Sequence, residues 1–134
     1  AAFGRFGWAL GLGFQIRDDI LGIWATAQET GKPAGHDLRR KKQSLPVIEF
    51  REVASEADRT LLHDIYAQDV IADQDVDVIV AVMDRYAIRQ ELERLVEDYH
   101  HQAEAQLSAL AAAADRATID ELRDFVKTLA LRTY

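Results

Sequence analysis

Apolar residues recur three or four positions apart along most of the sequence, which is the period of one face of an α-helix. In the first 24 residues this spacing joins a set of large apolar side chains: Phe3, Phe6, Leu10, Phe14, Leu21 and Trp24. A second stripe consists of Gly4, Gly7 and Gly11, although glycine costs about 1 kcal/mol relative to alanine inside a helix. The pattern predicts a helix over residues 1–24 whose glycine face packs closely on another helix or lines a ligand channel, with Trp8 in the core.

The rest of the sequence predicts further helices joined by short connections. Residues 25–36 contain two glycines and a proline and are predicted to form a loop, followed by a short helix from Asp37 or Ser44 to residue 53. Capping residues and apolar spacing predict four later helices: 55–67 after Ser55, 73–86 capped by Asp73, 92–114, and a last helix starting at Thr118. Strand-like alternation is weak throughout. The chain is therefore predicted to be an all-α bundle of five or six helices, with residues 1–134 in one domain.

Composition excludes several classes of function. The apolar fraction of 49% permits a buried core, and the absence of cysteine excludes disulfides, thiolate zinc sites and a cysteine nucleophile. Residues 68–134 contain seven Lys/Arg and fourteen Asp/Glu, an acidic surplus that argues against nucleic acid as a partner. The uncharged stretch 6–16 is far shorter than the ~20 residues of a membrane span. A protein of the reducing cytoplasm without a membrane span is therefore expected.

Two adjacent carboxylates lie in the most apolar part of the chain. Asp18 and Asp19 belong to the segment 14–22, FQIRDDILG, where a charged side chain is costly to bury unless it is paired or bound to a cation. On a helix, Gln15 precedes them by one turn and shares their surface. Carboxylate and amide oxygens on one surface suit Mg²⁺, which commonly bridges one or two carboxylates to the phosphates of a substrate. Without further context, most such pairs are helix surface residues or salt-bridge partners.

Glycines and lysines follow these acids within a short distance. The segments 30–38, TGKPAGHDL, and 39–46, RRKKQSLP, combine two glycines that permit a tight loop with Lys32 and Lys42. The lysine ammonium is a compact positive charge of the kind that binds phosphate. The basic run in the second segment is, taken alone, also typical of a solvated surface. Together with the two aspartates, the lysines predict a diphosphate site in which cationic side chains and Mg²⁺ share the charge of the anion.

These segments resemble the second aspartate-rich region of the trans-isoprenyl diphosphate synthases, which include farnesyl and geranylgeranyl diphosphate synthases. The resemblance rests on four motifs in the order and at the distances of the family: FQIRDDIL at 14–21, TGK at 30–32, GHDL at 35–38 and KQSLP at 42–46. It extends to the long Ala/Glu/Leu-rich helix and the final helix. The resemblance implies the C-terminal portion of the all-α isoprenoid synthase fold, in a chain well under half the length of a family member.

The resemblance also implies a function and residue roles. It implies a prenyltransferase of isoprenoid biosynthesis that requires Mg²⁺ and condenses an allylic diphosphate with isopentenyl diphosphate. Asp18 matches the aspartate that binds Mg²⁺ and Asp19 its supporting carboxylate, so both are the expected catalytic and metal residues. Residues that line the allylic site or contact its diphosphate are matched by Gln15, Lys32 and Lys42. Asp37 matches an acidic position near those lysines and is expected to act indirectly, without binding the substrate itself.

Two departures from the family pattern bear on activity. The usual motif is DDxxD, and its third acidic position is Gly22 here. The first aspartate-rich motif and the basic residues that bind isopentenyl diphosphate do not occur in this sequence. The chain is therefore expected to be a C-terminal fragment, inactive alone, that forms a homo-oligomer or associates with the missing N-terminal half. Two alternatives stay open: a non-catalytic partner subunit of a full synthase, which Gly22 favours, and a segment of a class I terpene cyclase.

Overall fold

A computed structural model describes residues 2–110 and 116–130, and eight α-helices form within these ranges. Their bounds are α1 (Ala2–Trp24), α2 (Ala27–Thr30), α3 (His36–Arg39), α4 (Leu45–Val53), α5 (Glu56–Tyr66), α6 (Asp73–Arg85), α7 (Ile88–Leu110) and α8 (Arg116–Ala130). No β-strand occurs in these two ranges. The prediction of an all-α fold is therefore confirmed.

Helix α5 begins where its capping residue predicted. Ser55 precedes the first residue of α5, and its Oγ accepts a hydrogen bond from the Asp58 N–H at 3.2 Å. Such a bond satisfies one of the N–H groups that have no partner within the helix. The start of α6 differs from the prediction, because Ala72 and not Asp73 is the capping position. There the Asp75 side chain accepts the Ala72 N–H at 3.4 Å.

The remaining differences are short helices and shifted ends. The predicted loop contains the one-turn helix α2, and the short helix predicted after it is split into α3 and α4. The start of α7 lies at Ile88, four residues before the predicted position, and α8 starts at Arg116 instead of Thr118. The predicted end of the long helix falls in residues 111–115, which lie outside the described residues.

The described residues form two compact units, and the first unit combines α1 up to Arg17 with the chain from Glu93 onward. Its core draws on α1, α7 and α8 and consists of Phe6, Ala9, Ala103, Leu107, Leu110, Ile119 and Val126. Trp8 is 59% exposed and meets the ring of Tyr99 edge-on at a centroid distance of 5.6 Å. The prediction that Trp8 is a core residue is wrong, because other α1 residues form the buried face.

The second unit, Asp18–Leu92, contains the last turns of α1, the helices α2 to α6 and the first turn of α7. Its largest fully buried side chains include Ile20, Leu38, Val47, Phe50, Leu62, Ile79, Met83 and Ile88. The Trp24 indole N–H donates to Asp84 Oδ1 at 3.1 Å. The last turns of α1 carry Asp18 and Asp19. Because these turns belong to the second unit, both aspartates lie in the same unit as α2, α3 and α4.

Among the described helices, none combines the length and the apolar character that crossing a membrane requires.

Candidate functional site

The Asp19 carboxylate joins the end of α1 to the start of α4. Asp19 is only 6% exposed. Its Oδ2 accepts the Leu45 N–H at 3.0 Å, and its Oδ1 accepts a hydrogen bond from Lys42 Nζ at 3.3 Å. Leu45 is the first residue of α4, where backbone N–H groups need acceptors from outside the helix. These partners explain how a carboxylate is buried in an apolar stretch of sequence.

Lys42 lies between two buried carboxylates. Its Nζ is 3.3 Å from Asp19 Oδ1 and 3.6 Å from Asp37 Oδ2, and these carboxylate side chains are 9% and 11% exposed. Burial lowers the pKa of Lys42, but the negative charges of the neighbouring aspartates, Asp37 first, and the hydrogen bond to Asp19 outweigh burial and raise the pKa above its ordinary value. Lys42 is therefore cationic at neutral pH, and its side chain is partly exposed.

Asp37 approaches α1 from the one-turn helix α3. A Cβ built on Gly22 would overlap the Asp37 carboxylate, so this carboxylate lies directly against the backbone of α1. The Lys42 N–H donates to the Asp37 carbonyl at 2.9 Å. Gly35, just before α3, has a φ of +68° in the region that favours glycine, and a Cβ there would overlap Val76 of α6. Close contacts at two glycines thus hold α3 between α1 and α6.

A cleft opens beside this ion-pair cluster, wholly within the second unit. The residues that line it are Asp18, Leu21, Gly22, Ala25, Lys32, Pro33, His36 and Asp37. Asp18 is half-buried and Lys32 is exposed, so one cleft presents a carboxylate and an ammonium group. Pro33 and His36 were not assigned to the site from the sequence. Their only signal was their place between Lys32 and Asp37.

The predicted site residues occupy three different environments. Asp18 and Lys32 line the cleft, whereas Asp19 and Lys42 form an ion pair beside it. Asp37 belongs to both groups, since it lines the cleft and contacts Lys42. Gln15 is exposed on α1, one turn before Asp18, and belongs to the first unit. The two adjacent aspartates therefore differ: Asp19 is hydrogen-bonded to α4 and Lys42, whereas Asp18 borders the cleft.

A metal ion in this cleft would have few protein ligands. Within residues 2–110 and 116–130, no three His, Cys, Asp or Glu side chains form a group that could hold a metal ion. Mg²⁺ commonly takes one or two carboxylates and completes its shell with water and the phosphate oxygens of a substrate. Asp18 fits such a role, because it lines a cleft that also contains Lys32, a cation suited to the same phosphate.

The first unit contains a separate, mostly apolar cavity. Its lining consists of Ala9, Leu10, Gly13, Phe14, Arg17, Val96, His100 and Leu129. The Arg17 Nε is buried and has no hydrogen-bond partner among the described residues. None of the described residues that line this cavity carries a carboxylate, so metal and diphosphate chemistry is favoured in the cleft of the second unit.

Known proteins are similar to this chain along most of its length. Residues 1–83 match the family model described as polyprenyl synthetase. The chain is 30% identical over 126 residues to a short chain isoprenyl diphosphate synthase of Methanothermobacter thermautotrophicus, an alignment that covers 94% of this chain and 38% of that protein.

Two solved structures share the fold. The geranylgeranyl pyrophosphate synthetase from Pyrococcus horikoshii Ot3 has a TM-score of 0.84 and 27% identity, over 98% of this chain and 38% of that chain. The geranylgeranyl pyrophosphate synthase from Corynebacterium glutamicum, complexed with calcium and isoprenyl diphosphate, has a TM-score of 0.73 and 31% identity, over 96% of this chain and 38% of that chain. The chain thus spans well under half the length of each of these relatives.

Proposed function

Because the chain belongs to the polyprenyl synthetase family of trans-isoprenyl diphosphate synthases, we propose that it supplies the second aspartate-rich half of a prenyltransferase site that requires Mg²⁺. The reaction condenses an allylic diphosphate with isopentenyl diphosphate in isoprenoid biosynthesis. The observation that carries this proposal is the cleft that Asp18 and Lys32 share, beside a Lys42 ammonium that two buried carboxylates hold in place.

The cleft contains charges of both signs, as the binding of a metal-bound diphosphate requires. Asp18 is the proposed carboxylate for Mg²⁺, which neutralises charge on the departing diphosphate when it is bound. Lys32 and Lys42 are the proposed ligands of the diphosphate oxygens. Asp19 orients Lys42 and anchors α4, so its proposed role is to support the site. Gln15 is assigned to the allylic substrate by its place in the motif.

The proposed lysine roles follow from the charges that change in the reaction. When the C–O bond of the allylic diphosphate breaks, its electron pair leaves with the diphosphate. The alkene of isopentenyl diphosphate supplies the electrons of the new C–C bond, and loss of a proton forms the double bond of the product. Lys32 and Lys42 stabilise the negative charge that grows on the leaving group. This role needs protonated lysines, and the raised pKa of Lys42 favours that state at neutral pH.

The Corynebacterium relative, complexed with calcium and isoprenyl diphosphate, supports a divalent cation and a prenyl diphosphate as ligands. This chain spans 38% of that relative. We therefore propose that the remaining catalytic groups come from the family's first aspartate-rich region, supplied by another polypeptide segment. On this basis the 134-residue chain binds diphosphate without catalysing condensation alone, and it associates with that region or with a second copy of itself.

Binding of inorganic pyrophosphate tests the proposed ligand site directly. Isothermal titration calorimetry with and without Mg²⁺ is expected to show binding that depends on the metal. Asp18→Asn is expected to weaken this binding on the order of tenfold or more without changing the circular dichroism spectrum. Asp64→Asn is the matched control, because the Asp64 side chain is 72% exposed on α5 and does not line the cleft. Equal affinity of Asp18→Asn and the unsubstituted chain would remove Asp18 from the site.

Turnover tests the catalytic part of the proposal. The region of the Methanothermobacter relative that carries the first aspartate-rich motif is fused ahead of residue 1, and incorporation of labelled isopentenyl diphosphate into a longer product is measured. We expect turnover that requires Mg²⁺ and is abolished by Asp18→Ala. Normal turnover of that variant contradicts the catalytic assignment. Pyrophosphate binding without any turnover of the fusion favours the non-catalytic partner subunit instead.

A further inference from the structure

The basic run after α3 contains a lysine in an unusual backbone conformation. Lys41 has a φ of +56°, in the left-handed region that favours glycine, and within the described ranges only Ala87 shares this feature among residues other than glycine. A side chain in this conformation is strained, because its Cβ lies too close to a neighbouring carbonyl oxygen. Such strain persists only where the surrounding contacts hold the residue in place.

Two backbone hydrogen bonds close the turn that contains Lys41. The Lys41 N–H donates to the Leu38 carbonyl at 3.0 Å, and the Lys42 N–H donates to the Asp37 carbonyl at 2.9 Å. This pair of bonds is a Schellman motif, which ends a helix through a residue in the left-handed conformation, usually a glycine. In this chain the left-handed residue is a lysine, and Lys42 directly follows it.

The same turn is anchored on the end of α5. Lys41 Nζ donates to the Gln68 carbonyl, and the Tyr66 hydroxyl donates to the Lys42 carbonyl at 3.3 Å. Lys41 is half-buried and does not line the cleft. The backbone of Lys42 is thus fixed at its N–H and at its carbonyl, while its ammonium group lies between the two buried carboxylates.

We propose that Lys41 is a positioning residue of the diphosphate site, because its left-handed backbone, anchored on Gln68, sets the direction in which the Lys42 side chain leaves the chain. The inference rests on the proposed function, in which Lys42 binds diphosphate. It gives two adjacent cations different roles: Lys41 acts through its backbone conformation, and Lys42 acts through its charge.

Substitutions at position 41 separate conformation from charge. Glycine adopts the left-handed conformation without strain and asparagine tolerates it, whereas valine, which is branched at Cβ, strongly disfavours it. All three substitutions remove the ammonium group. Calorimetry in Mg²⁺ should show that Lys41→Gly and Lys41→Asn bind pyrophosphate nearly as tightly as the unsubstituted chain, and that Lys41→Val binds on the order of tenfold more weakly, as when a group that orients a ligand residue is lost. Equal weakening by all three would show that charge is the essential property and would overturn the proposal.

Ala87→Val is the matched control for strain. Ala87 has a φ of +53°, follows α6 and does not line the cleft. Its substitution introduces the same backbone strain as Lys41→Val, yet it should leave the pyrophosphate affinity unchanged. Circular dichroism establishes that each variant is folded under the conditions of the titration. An equal loss of affinity in Ala87→Val and Lys41→Val would assign the effect to general destabilisation and contradict the proposal.

A double-mutant cycle with Lys42→Gln tests whether Lys41 acts through Lys42. Lys41→Val should weaken pyrophosphate binding in the unsubstituted chain but should have no further effect in the Lys42→Gln background, because the ammonium group that it positions is already lost. A residue that contacts the diphosphate independently would weaken binding by the same factor in both backgrounds. That result would remove the positioning role from Lys41.

Amide hydrogen exchange of Lys42 in the ligand-free protein needs no diphosphate binding. The Lys42 N–H is bonded to the Asp37 carbonyl, so its exchange rate, measured by NMR, reports opening of the turn. Lys41→Val should speed this exchange several-fold and Lys41→Gly should not; equal rates in the two variants would overturn the proposal. If the unsubstituted protein binds no pyrophosphate but the exchange rates follow this order, the proposed function fails and the control of the turn by Lys41 stands.

Discussion

The Asp19 carboxylate accepts the Leu45 N–H at 3.0 Å, across 26 residues of sequence. This contact connects the last turns of α1 with the first residue of α4. Asp18, the preceding residue, lines the neighbouring cleft instead. The two adjacent acids of one motif therefore have different contacts, and their substitutions should have different consequences.

Asp19→Ala is expected to lower the free energy of unfolding by about 1–3 kcal/mol, because the start of α4 and the Lys42 ammonium lose a shared acceptor. Asp18→Ala should change it by no more than about 0.5 kcal/mol, as is usual for residues without such a structural role. Urea unfolding followed by circular dichroism measures both values. Equal destabilisation by the two substitutions would contradict the separate roles assigned to these residues.

Ser44 and Ser55 both precede helices, but their hydroxyl groups have different surroundings. Ser55 Oγ accepts the Asp58 N–H at 3.2 Å, whereas Ser44 Oγ is buried and has no hydrogen-bond partner among the described residues. Ser55→Ala should therefore cost about 1 kcal/mol of stability. Ser44→Ala should be neutral or slightly stabilising, since it removes a buried polar atom that gains no bond. The unfolding midpoints of the two variants in urea provide the comparison. A larger loss of stability for Ser44→Ala than for Ser55→Ala would contradict the prediction.

Gly31 and Gly35 share a positive φ but differ in their surroundings. Their φ values are +70° and +68°, and a Cβ would meet open space at Gly31 but would overlap Val76 at Gly35. Gly31→Ala should cost about 1–2 kcal/mol for the backbone conformation alone. Gly35→Ala should cost more, because the contact with Val76 must also be relieved. In a Val76→Ala background the additional cost of Gly35→Ala should fall towards that of Gly31→Ala, as a double-mutant cycle would measure.

Tyr66 should make the protein less stable at alkaline pH. Burial raises the pKa of its phenol from 10.0 to about 12, with Arg51 lowering the value and Asp37 raising it as smaller effects. The hydroxyl donates to the Lys42 carbonyl at 3.3 Å. Because the folded pKa is above the unfolded pKa, this stabilisation is complete below pH 10 and is lost as the pH rises through about 12. The raised pKa of Lys42 acts in the same direction above its ordinary value of 10.5.

Tyr66→Phe isolates the contribution of the phenol to this pH dependence. The variant should lose the stabilising hydroxyl contact at neutral pH, yet its stability should fall less steeply between about pH 10 and pH 12, since no phenol remains to ionise. Urea midpoints measured across this range give both slopes. Identical slopes for the variant and the unsubstituted protein would show that Tyr66 does not ionise as expected.

Local patterns in the sequence predicted most of the helices. The apolar period placed α1, α5 and α6 to within a few residues, because it depends only on neighbours three and four positions away. The Ser55 cap likewise depends on a residue three positions later. The helix α2 was not predicted, since four residues contain too little periodicity, and the break that separates α3 from α4 was not predicted either. The wrong prediction for Trp8, which is 59% exposed, shows that periodicity identifies an apolar stripe without saying which of its residues are covered.

By itself, the sequence determined the all-α class, the aspartate pair in an apolar helix and the glycine-lysine segment that follows, because these depend only on residue type and spacing. Only the tertiary structure decided that Asp18 borders the cleft, that Asp19 is engaged by Lys42 and Leu45, and that Asp37 lies beside Gly22. The partners of Asp19 are 23 and 26 residues away. Hydrogen bonds between residues so far apart in the sequence depend on the path that the intervening chain takes. Close backbone contacts set that path, and the spacing of hydrophobic residues does not predict them.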